Sequence, residues 1–357
     1  RWRGLAAALL AAAGCGGQFA EYLEVRPTPL AAIVALPRVD LRADVNRDGV
    51  VDVDGIADDE GEDTWDAAHG AIFLANIDDD LVACPRTGGD VALAACNDAA
   101  DEVINGPDDE LDLAPLKVAP WPNAPDTARA TLSISPAGRT RFFIKTVDGW
   151  LVFDEANNAF SAAQLRLGVE LAIEGKDIVR DNAAWDGFVD VTLSMTGIEQ
   201  PQSDTVRMRI SPVMTFHHLS PPETTYVTRV AFDPDSTRFV TSLRSQLNVT
   251  PENAPLVEIG DNDLWTQDFF ETGYMAMPAQ GGAQHVIRVA YRSSSIERSG
   301  QSPLRAAGRI VFTGFRGRDT AGLQAFTFQQ DPDASSLNSY GNTETIPPFS
   351  HNGVNYP

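Results

Sequence analysis

Three stretches of this chain set oxygen-bearing side chains at spacings that could hold a hard cation. In "DVNRDGVVDVDG" the residues Asp44, Asn46 and Asp48 alternate, Gly49 permits a tight turn, and Asp52 follows. Such a loop wraps carboxylate and amide oxygens around one calcium ion. An EF-hand would place a bidentate Glu at the twelfth position, where this chain has Gly55, and a dockerin-type module would need a second such loop, which does not occur. An ion here therefore draws its remaining ligands from elsewhere. In "NIDDD", Asn76, Asp78 and Asp80 have period-two spacing, so an extended backbone turns their side chains to one side and suits a shared calcium site. "GPDDELDL" supplies further acids, with Asp109 and Asp112 as candidate ligands.

A fourth stretch, "DNDLWTQDFFETGYMAMP", puts Trp265, Gln267, Asp268 and Glu271 close together. By itself it supports only bland roles: Trp265 as a core or turn residue, Asp268 as a solvated acid or helix cap. The charge pattern is more informative. Between Asp40 and Asp112 there are 22 Asp and Glu against Arg42, Arg47 and Arg86, so this fifth of the chain holds most of the net charge of -23. That balance excludes nucleic acid as a natural partner, because phosphate would be repelled. A solvating acidic tail would lack apolar runs, yet "GAIFLAN" (Gly70 to Asn76) sits between two acidic groups. Folding so many carboxylates together requires countercharge, and bound metal supplies it.

The amino-terminal residues concern destination. Arg1 and Arg3 precede "LAAALLAAAGC", which is too short to span a bilayer and ends in small residues before Cys15. This reads as part of an export signal whose end is similar to a lipobox, with Cys15 as the acylated residue and residues 16–37 as a linker. The first residue is not Met, so the expectation is that the sequence starts within the signal. Cys84 and Cys96 could close a disulfide outside the cytoplasm. Nearby Asp78, Asp80 and Asp98 disfavour a thiolate at either.

The remaining sequence supplies the elements that would position these residues. With 357 residues, 43% of them hydrophobic, the chain can build two domains, and 28 Gly with 23 Pro favour strands and turns. "TARATLSIS", "RTRFFIKTV", "DGFVDVTLSM" and "DTVRMRISPVM" alternate as strands and predict a β-sandwich with the acidic loops at one end. Paired prolines in "SPVMTFHHLSPPETT" mark a boundary near residue 213. Beyond it, "YVTRVAF", "PLVEIG", "HVIRVAYR" and "GRIVFTG" read as strands. "DSTRFVTSLRSQL" reads as an amphipathic helix capped by Asp235, with Phe239, Val240, Leu243 and Leu247 on one face. The second region is therefore mixed α and β.

The order "DVNRDGVVD", "GAIFLANIDDD", "DEVINGPDDELDL", "DLWTQDFFETGY" and "LNSYGNTETIPP" resembles the protein-arginine deiminases, from about Leu41 to the last residue. The resemblance implies an immunoglobulin-like calcium-binding β-sandwich over residues 38–213, followed over 214–357 by the first part of an α/β propeller (pentein) catalytic domain. It implies calcium-dependent hydrolysis of protein arginine to citrulline, on arginine-containing proteins or peptides. Asp268 matches the carboxylate that grips the substrate guanidinium, whose planar fork of donors suits two carboxylate oxygens. Trp265 would flank the arginine stem, and Arg292 and Arg298 lie near the arginines that hold the substrate peptide. Gln267, Glu271 and Glu344 would hold a calcium ion together with main-chain oxygens of Tyr340 and Thr343.

Departures matter as well. Phe269 stands where relatives carry a carboxylate for a second catalytic calcium, and "YRSSSIERS" replaces an Asp-Ser-Pro-Arg type run, so that second site is expected to be absent. The family's amino-terminal domain is expected to be missing. Deimination uses a cysteine nucleophile and a histidine that assists ammonia departure. His217, His218, His285 and His351 do not match that histidine and read as surface or structural residues. The catalytic His, second Asp and Cys are expected beyond Pro357, so these residues alone would be inactive. A non-catalytic calcium-binding surface lipoprotein on the same scaffold is the alternative, and either would be exported and membrane-anchored or extracellular.

Overall fold

The computed structural model describes residues 39–80, 99, 101–153, 158–217, 219–221, 224–246, 256–261, 266–292, 316–323 and 347–356. Alternating apolar residues build most of it. In β9 (Phe188–Thr196), Val189, Val191, Leu193 and Met195 point inward while the intervening polar side chains remain partly exposed. β4 (Arg129–Ser135) pairs with it antiparallel and buries Ala130 and Leu132. β10 (Gln202–Ile210), β2 (Ala71–Phe73) and β7 (Ala159–Ser161) complete a five-stranded sheet of order β2-β10-β9-β4-β7. Within it only β2 and β10 run parallel.

A second five-stranded sheet contains β1 (Leu41–Ala43), β3 (Ala114–Val118), β5 (Thr140–Thr146), β6 (Gly149–Val152) and β8 (Val169–Gly175). Its order is β1-β3-β8-β5-β6, antiparallel throughout. Leu41, Leu116, Leu171 and Ile173 from this sheet share one core with Phe73, Val191, Leu193 and Met208 from the other. Burying each such side chain stabilises the fold by roughly 1.5–3 kcal/mol. The packing is that of a two-layer β structure, as the strand alternation predicts.

Past the paired prolines the architecture changes. β12 (Thr225–Val230) pairs parallel with β13 (Leu256–Asp261), and between them runs helix α3 (Pro234–Gln246). Two shorter helices precede it in the chain, α1 (Pro107–Asp112) and α2 (Ala162–Leu167). A four-stranded sheet follows, of order β11-β14-β15-β16, from β11 (Met214–Thr215), β14 (Phe270–Ala279), β15 (Ala283–Arg292) and β16 (Thr320–Leu323). A terminal hairpin joins β17 (Phe349–His351) to β18 (Val354–Tyr356). Met275, Met277, Ile287 and Val289 belong to the same continuous core as the two five-stranded sheets.

Two helix expectations need correction. The cap of α3 is Asp233 rather than Asp235: Pro234 takes the first helical position, and Asp233 Oδ1 accepts the Asp235 N–H at 2.9 Å. Its inward face carries Ser236 and Val240, 2% and 0% exposed, whereas Phe239 is 56% exposed. Ser236 and Val240, four residues apart, share the buried face, and Phe239, about 100° from Val240, lies off it. Leu247 and the strand expected at "GRIVFTG" lie outside the described residues.

Gly49 shows how the first acidic loop meets the later sheet. Its φ is +83°, and a Cβ there would lie 2.0 Å from the Ala279 carbonyl carbon and 2.2 Å from the Gln280 nitrogen. Only glycine fits both the left-handed backbone and the close approach.

Candidate metal centre

Two segments build the acidic centre. Beyond β2, Ala75 bridges Gly175 of β8, and the Asn76 N–H donates to the Gly175 carbonyl at 3.1 Å, which steers residues 76–80 inward. From the other side comes α1, opened by Pro107, whose Asp109 and Asp112 are three residues apart and face the interior at 3% and 1% exposure. Asp78, Asp80 and Asp112 each present an oxygen within 4.8 Å of the others, and all three are buried.

The electrostatics of this triad are unfavourable as it stands. Burial, then the neighbouring Asp112 and Asp80 charges, push the Asp78 carboxyl up to about 9. Asp112 is raised as well, by burial first and then by Asp80, Asp109 and Asp319. Neither oxygen of Asp78, nor Oδ2 of Asp112, receives a hydrogen bond from another described residue. Buried carboxylates without donors need protons or a metal cation. An all-oxygen donor set of this kind fits calcium, a hard cation that takes six to eight oxygens in flexible geometry.

The rest of the expected ligand group is wired differently. Asn76 Nδ2 donates to Asp109 Oδ1 at 3.4 Å and to Glu174 Oε2 at 3.3 Å, and Arg141 Nη1 donates to Glu174 Oε1 at 3.0 Å. Burial raises the Glu174 carboxyl to about 7, with Arg141 opposing. Glu174 did not emerge from sequence reasoning; its signal is an acid at the inner end of the apolar strand "VELAIEG". His285 is not a surface residue: its side chain is 15% exposed and its Nε2 lies 2.5 Å from Asp112 Oδ1. Arg316 Nη2 donates to Asp79 Oδ1 at 2.9 Å.

In the first loop, Asp44 accepts the N–H groups of Asp48 at 3.0 Å and Gly49 at 2.9 Å, and Asn46 Oδ1 accepts that of Asp48 at 2.9 Å. The Asp44 carboxyl rises to about 6, chiefly through burial. Asp52 enters through its backbone: its N–H donates to Asp58 Oδ2 at 2.7 Å, while Asp58 Oδ1 accepts from Val45 at 3.0 Å. Asp58 is 0% exposed and organises this loop, which its sequence position, beyond the twelve-residue motif, did not indicate.

The fourth stretch forms helix α4 (Thr266–Phe269) running into β14. Thr266 Oγ1 accepts the Thr228 N–H of β12 at 3.1 Å, anchoring the helix start. Gln267 Nε2 donates to Glu271 Oε2 at 3.3 Å, and Glu271 Oε1 accepts the Thr272 N–H at 2.8 Å. Asp268 lies between them in the chain; its side chain, like that of Arg292, is outside what the structure describes. Cys15, Cys84, Cys96, Trp265, Arg298, Tyr340, Thr343 and Glu344 also lie outside the described residues.

Residues 200–357, which contain this Gln267–Glu271 pair, match the family model for protein-arginine deiminase (PAD). This region of the chain is similar to the protein-arginine deiminase family. Protein-arginine deiminase type-4 of Rattus norvegicus is 24% identical over 343 residues, covering 89% of this chain and 46% of that protein. The type-4 enzymes of Mus musculus and Homo sapiens are each 23% identical, over 362 and 370 residues, covering 94% of this chain and 50% of each. The chain spans about half the length of the curated relatives it matches. At these identities the deiminase resemblance covers the acidic centre as well as the region around α4.

Proposed function

We propose that these residues belong to a calcium-dependent protein-arginine deiminase, which hydrolyses arginine side chains of proteins or peptides to citrulline and ammonia. The observation that carries this reading is the Gln267–Glu271 hydrogen bond inside the matched region, flanking Asp268 on α4. Asp268 would receive the substrate guanidinium on its two oxygens, with Trp265 along the arginine stem and Arg292 and Arg298 toward the peptide. Gln267, Glu271 and Glu344, with main-chain oxygens of Tyr340 and Thr343, would hold one calcium ion. The Asp78–Asp80–Asp112 triad is the best-supported structural calcium site, with Asn76 and Asp109 beside it. The loop of Asp44, Asn46, Asp48 and Asp52 is a further candidate.

In the same reading, residues 38–213 form an immunoglobulin-like middle domain and residues 214–357 the first part of a propeller catalytic domain. Export with acylation of Cys15 would place the protein at a membrane. None of the described helices is long and apolar enough to cross one. Residues 1–357 alone would be inactive, because Cys84 and Cys96 lie in an acidic run that disfavours a thiolate.

A citrulline assay on the full-length protein tests this. Asp268→Asn should lower turnover by on the order of a hundredfold or more at any calcium concentration, because one amide presents a donor where the guanidinium needs an acceptor. Glu271→Gln should instead raise the calcium requirement and recover partly at high calcium. Unchanged turnover in Asp268→Asn would sink the deiminase reading. Calcium binding without any citrulline from full-length protein would favour the alternative, a non-catalytic surface lipoprotein.

A further inference from the structure

One carboxylate of the acidic centre already has a cation of its own. Asp79 is 0% exposed, and the Arg316 guanidinium, 13% exposed, donates to it at 2.9 Å. Arg316 comes from the segment just before β16, a long way along the chain, and its turn is held in place twice more. The Asp79 N–H points to the Gly317 carbonyl at 3.4 Å, and Arg318 pairs with Asp108 of α1 at 2.9 Å. Directly beside Asp79 in the chain, Asp78 has no such partner for either oxygen among the described residues. The centre therefore holds one carboxylate paired with a guanidinium, Asp79, beside another, Asp78, that has no such donor among the described residues.

We propose that Arg316 is a resident cation of this centre: it occupies Asp79, reserves Asp78, Asp80 and Asp112 for a divalent ion, and thereby sets the calcium affinity. This rests on the reading that the triad binds calcium. A fixed positive charge close to the ion opposes its binding, while the same charge compensates Asp79 when calcium is absent. Removing Arg316 thus has two opposite effects. The metal-free fold loses stability, because buried Asp79 has lost its guanidinium. The calcium-bound form gains an additional uncompensated negative charge beside the ion, so binding tightens. A salt bridge with a merely structural role would produce the first effect and not the second.

The test is calcium titration calorimetry and thermal melting of the full-length protein, in chelator and in calcium, with Asp78→Asn to identify the heat that belongs to the triad. Arg316→Met should melt lower than wild type in chelator, show a larger calcium-induced rise, and bind calcium at this site on the order of tenfold more tightly. Arg316→Met with Asp79→Asn should regain stability in chelator and lose the extra affinity. Equal deficits of Arg316→Met in chelator and in calcium, with unchanged or weaker calcium binding, would overturn the proposal. Should Arg316→Met fail to fold without calcium, Arg316→Lys decides, since it keeps the charge and should keep wild-type affinity; a tenfold change in either direction counts against the proposal. If wild type shows no calcium response that Asp78→Asn abolishes, the calcium reading itself fails, which is a different result from an intact response indifferent to Arg316.

Discussion

The loop around Asp44 and the triad around Asp78 look alike in sequence and are opposites in structure. Both alternate oxygen-bearing residues at period two, and both bury acids: Asp44 and Asp58 in the loop, Asp78 and Asp80 in the triad. In the loop, backbone N–H groups already serve the acids: Asp48 and Gly49 on Asp44, and Val45, Asn46 and Asp52 on Asp58. In the triad, Asp78 receives no such bond from another described residue. A carboxylate supplied with N–H donors is stable by itself, whereas one lacking them depends on a proton or a metal. Acid spacing therefore identifies places where a cation could bind, and donor supply decides where the fold requires one.

The largest expected effect breaks this contrast at the triad. Calcium at about a hundred times its dissociation constant should stabilise the protein by about 3 kcal/mol, since it binds only the folded arrangement. Asp78→Asn should cross over: as stable as wild type or more so in chelator, because a buried acid that depends on a proton is replaced by a neutral amide, and less stable in calcium. Thermal melts in chelator and in millimolar calcium check this. A parallel loss in both conditions would mean that Asp78 is an ordinary structural acid.

A smaller effect belongs to the loop. Asp58→Asn leaves one carbonyl oxygen where two carboxylate oxygens accept three N–H bonds, at 2.7, 3.0 and 3.3 Å. The cost should be about 1–2 kcal/mol and the same with or without calcium. Denaturant melts in both conditions measure it. Loss of a calcium response in Asp58→Asn, with the triad intact, would show that the loop is a cation site of comparable weight.

Much of the scaffold was legible because strand alternation is a local property. The strands read at "TARATLSIS", "RTRFFIKTV" and "DGFVDVTLSM" appear as β4, β5 and β9, and β9 alternates buried and part-exposed residues along its length. Gln267 and Glu271, which only the family resemblance puts together in the sequence, are hydrogen-bonded at the junction of a short helix and a strand. What could not be read are partners supplied from far along the chain. Glu174, His285 and Arg316 reach the acidic centre only through the pairing of β8, β15 and β16 with their neighbours. The cap of α3 was missed for a local reason, because Pro234 sets the helix start one residue before Asp235.

The smallest effect concerns an acid that the fold neutralises with a proton. Glu62 is 6% exposed, and its backbone carbonyl accepts the Arg207 N–H of β10 at 2.8 Å. Burial raises its carboxyl to about 9, aided by a hydrogen bond and charge repulsion from Asp204, with Arg42 opposing and Asp59 adding to the rise. Asp204, whose Oδ2 accepts the Leu41 N–H at 2.8 Å, is the hydrogen-bond partner of the Glu62 carboxyl. The folded value lies above the ordinary value of 4.5, so the folded state holds the proton more tightly than the unfolded chain does. The contribution is complete below pH 4.5 and declines as pH rises, until it is lost through about 9. Glu62→Gln keeps a donor to Asp204 at every pH and should change little near neutrality. Melting temperatures followed from pH 6 to 10 in saturating calcium, which takes the triad out of the titration, should therefore fall less steeply for Glu62→Gln than for wild type. Identical slopes would mean that Glu62 is already ionised at neutral pH, and that the contrast between proton-held and cation-held acids does not extend to this position.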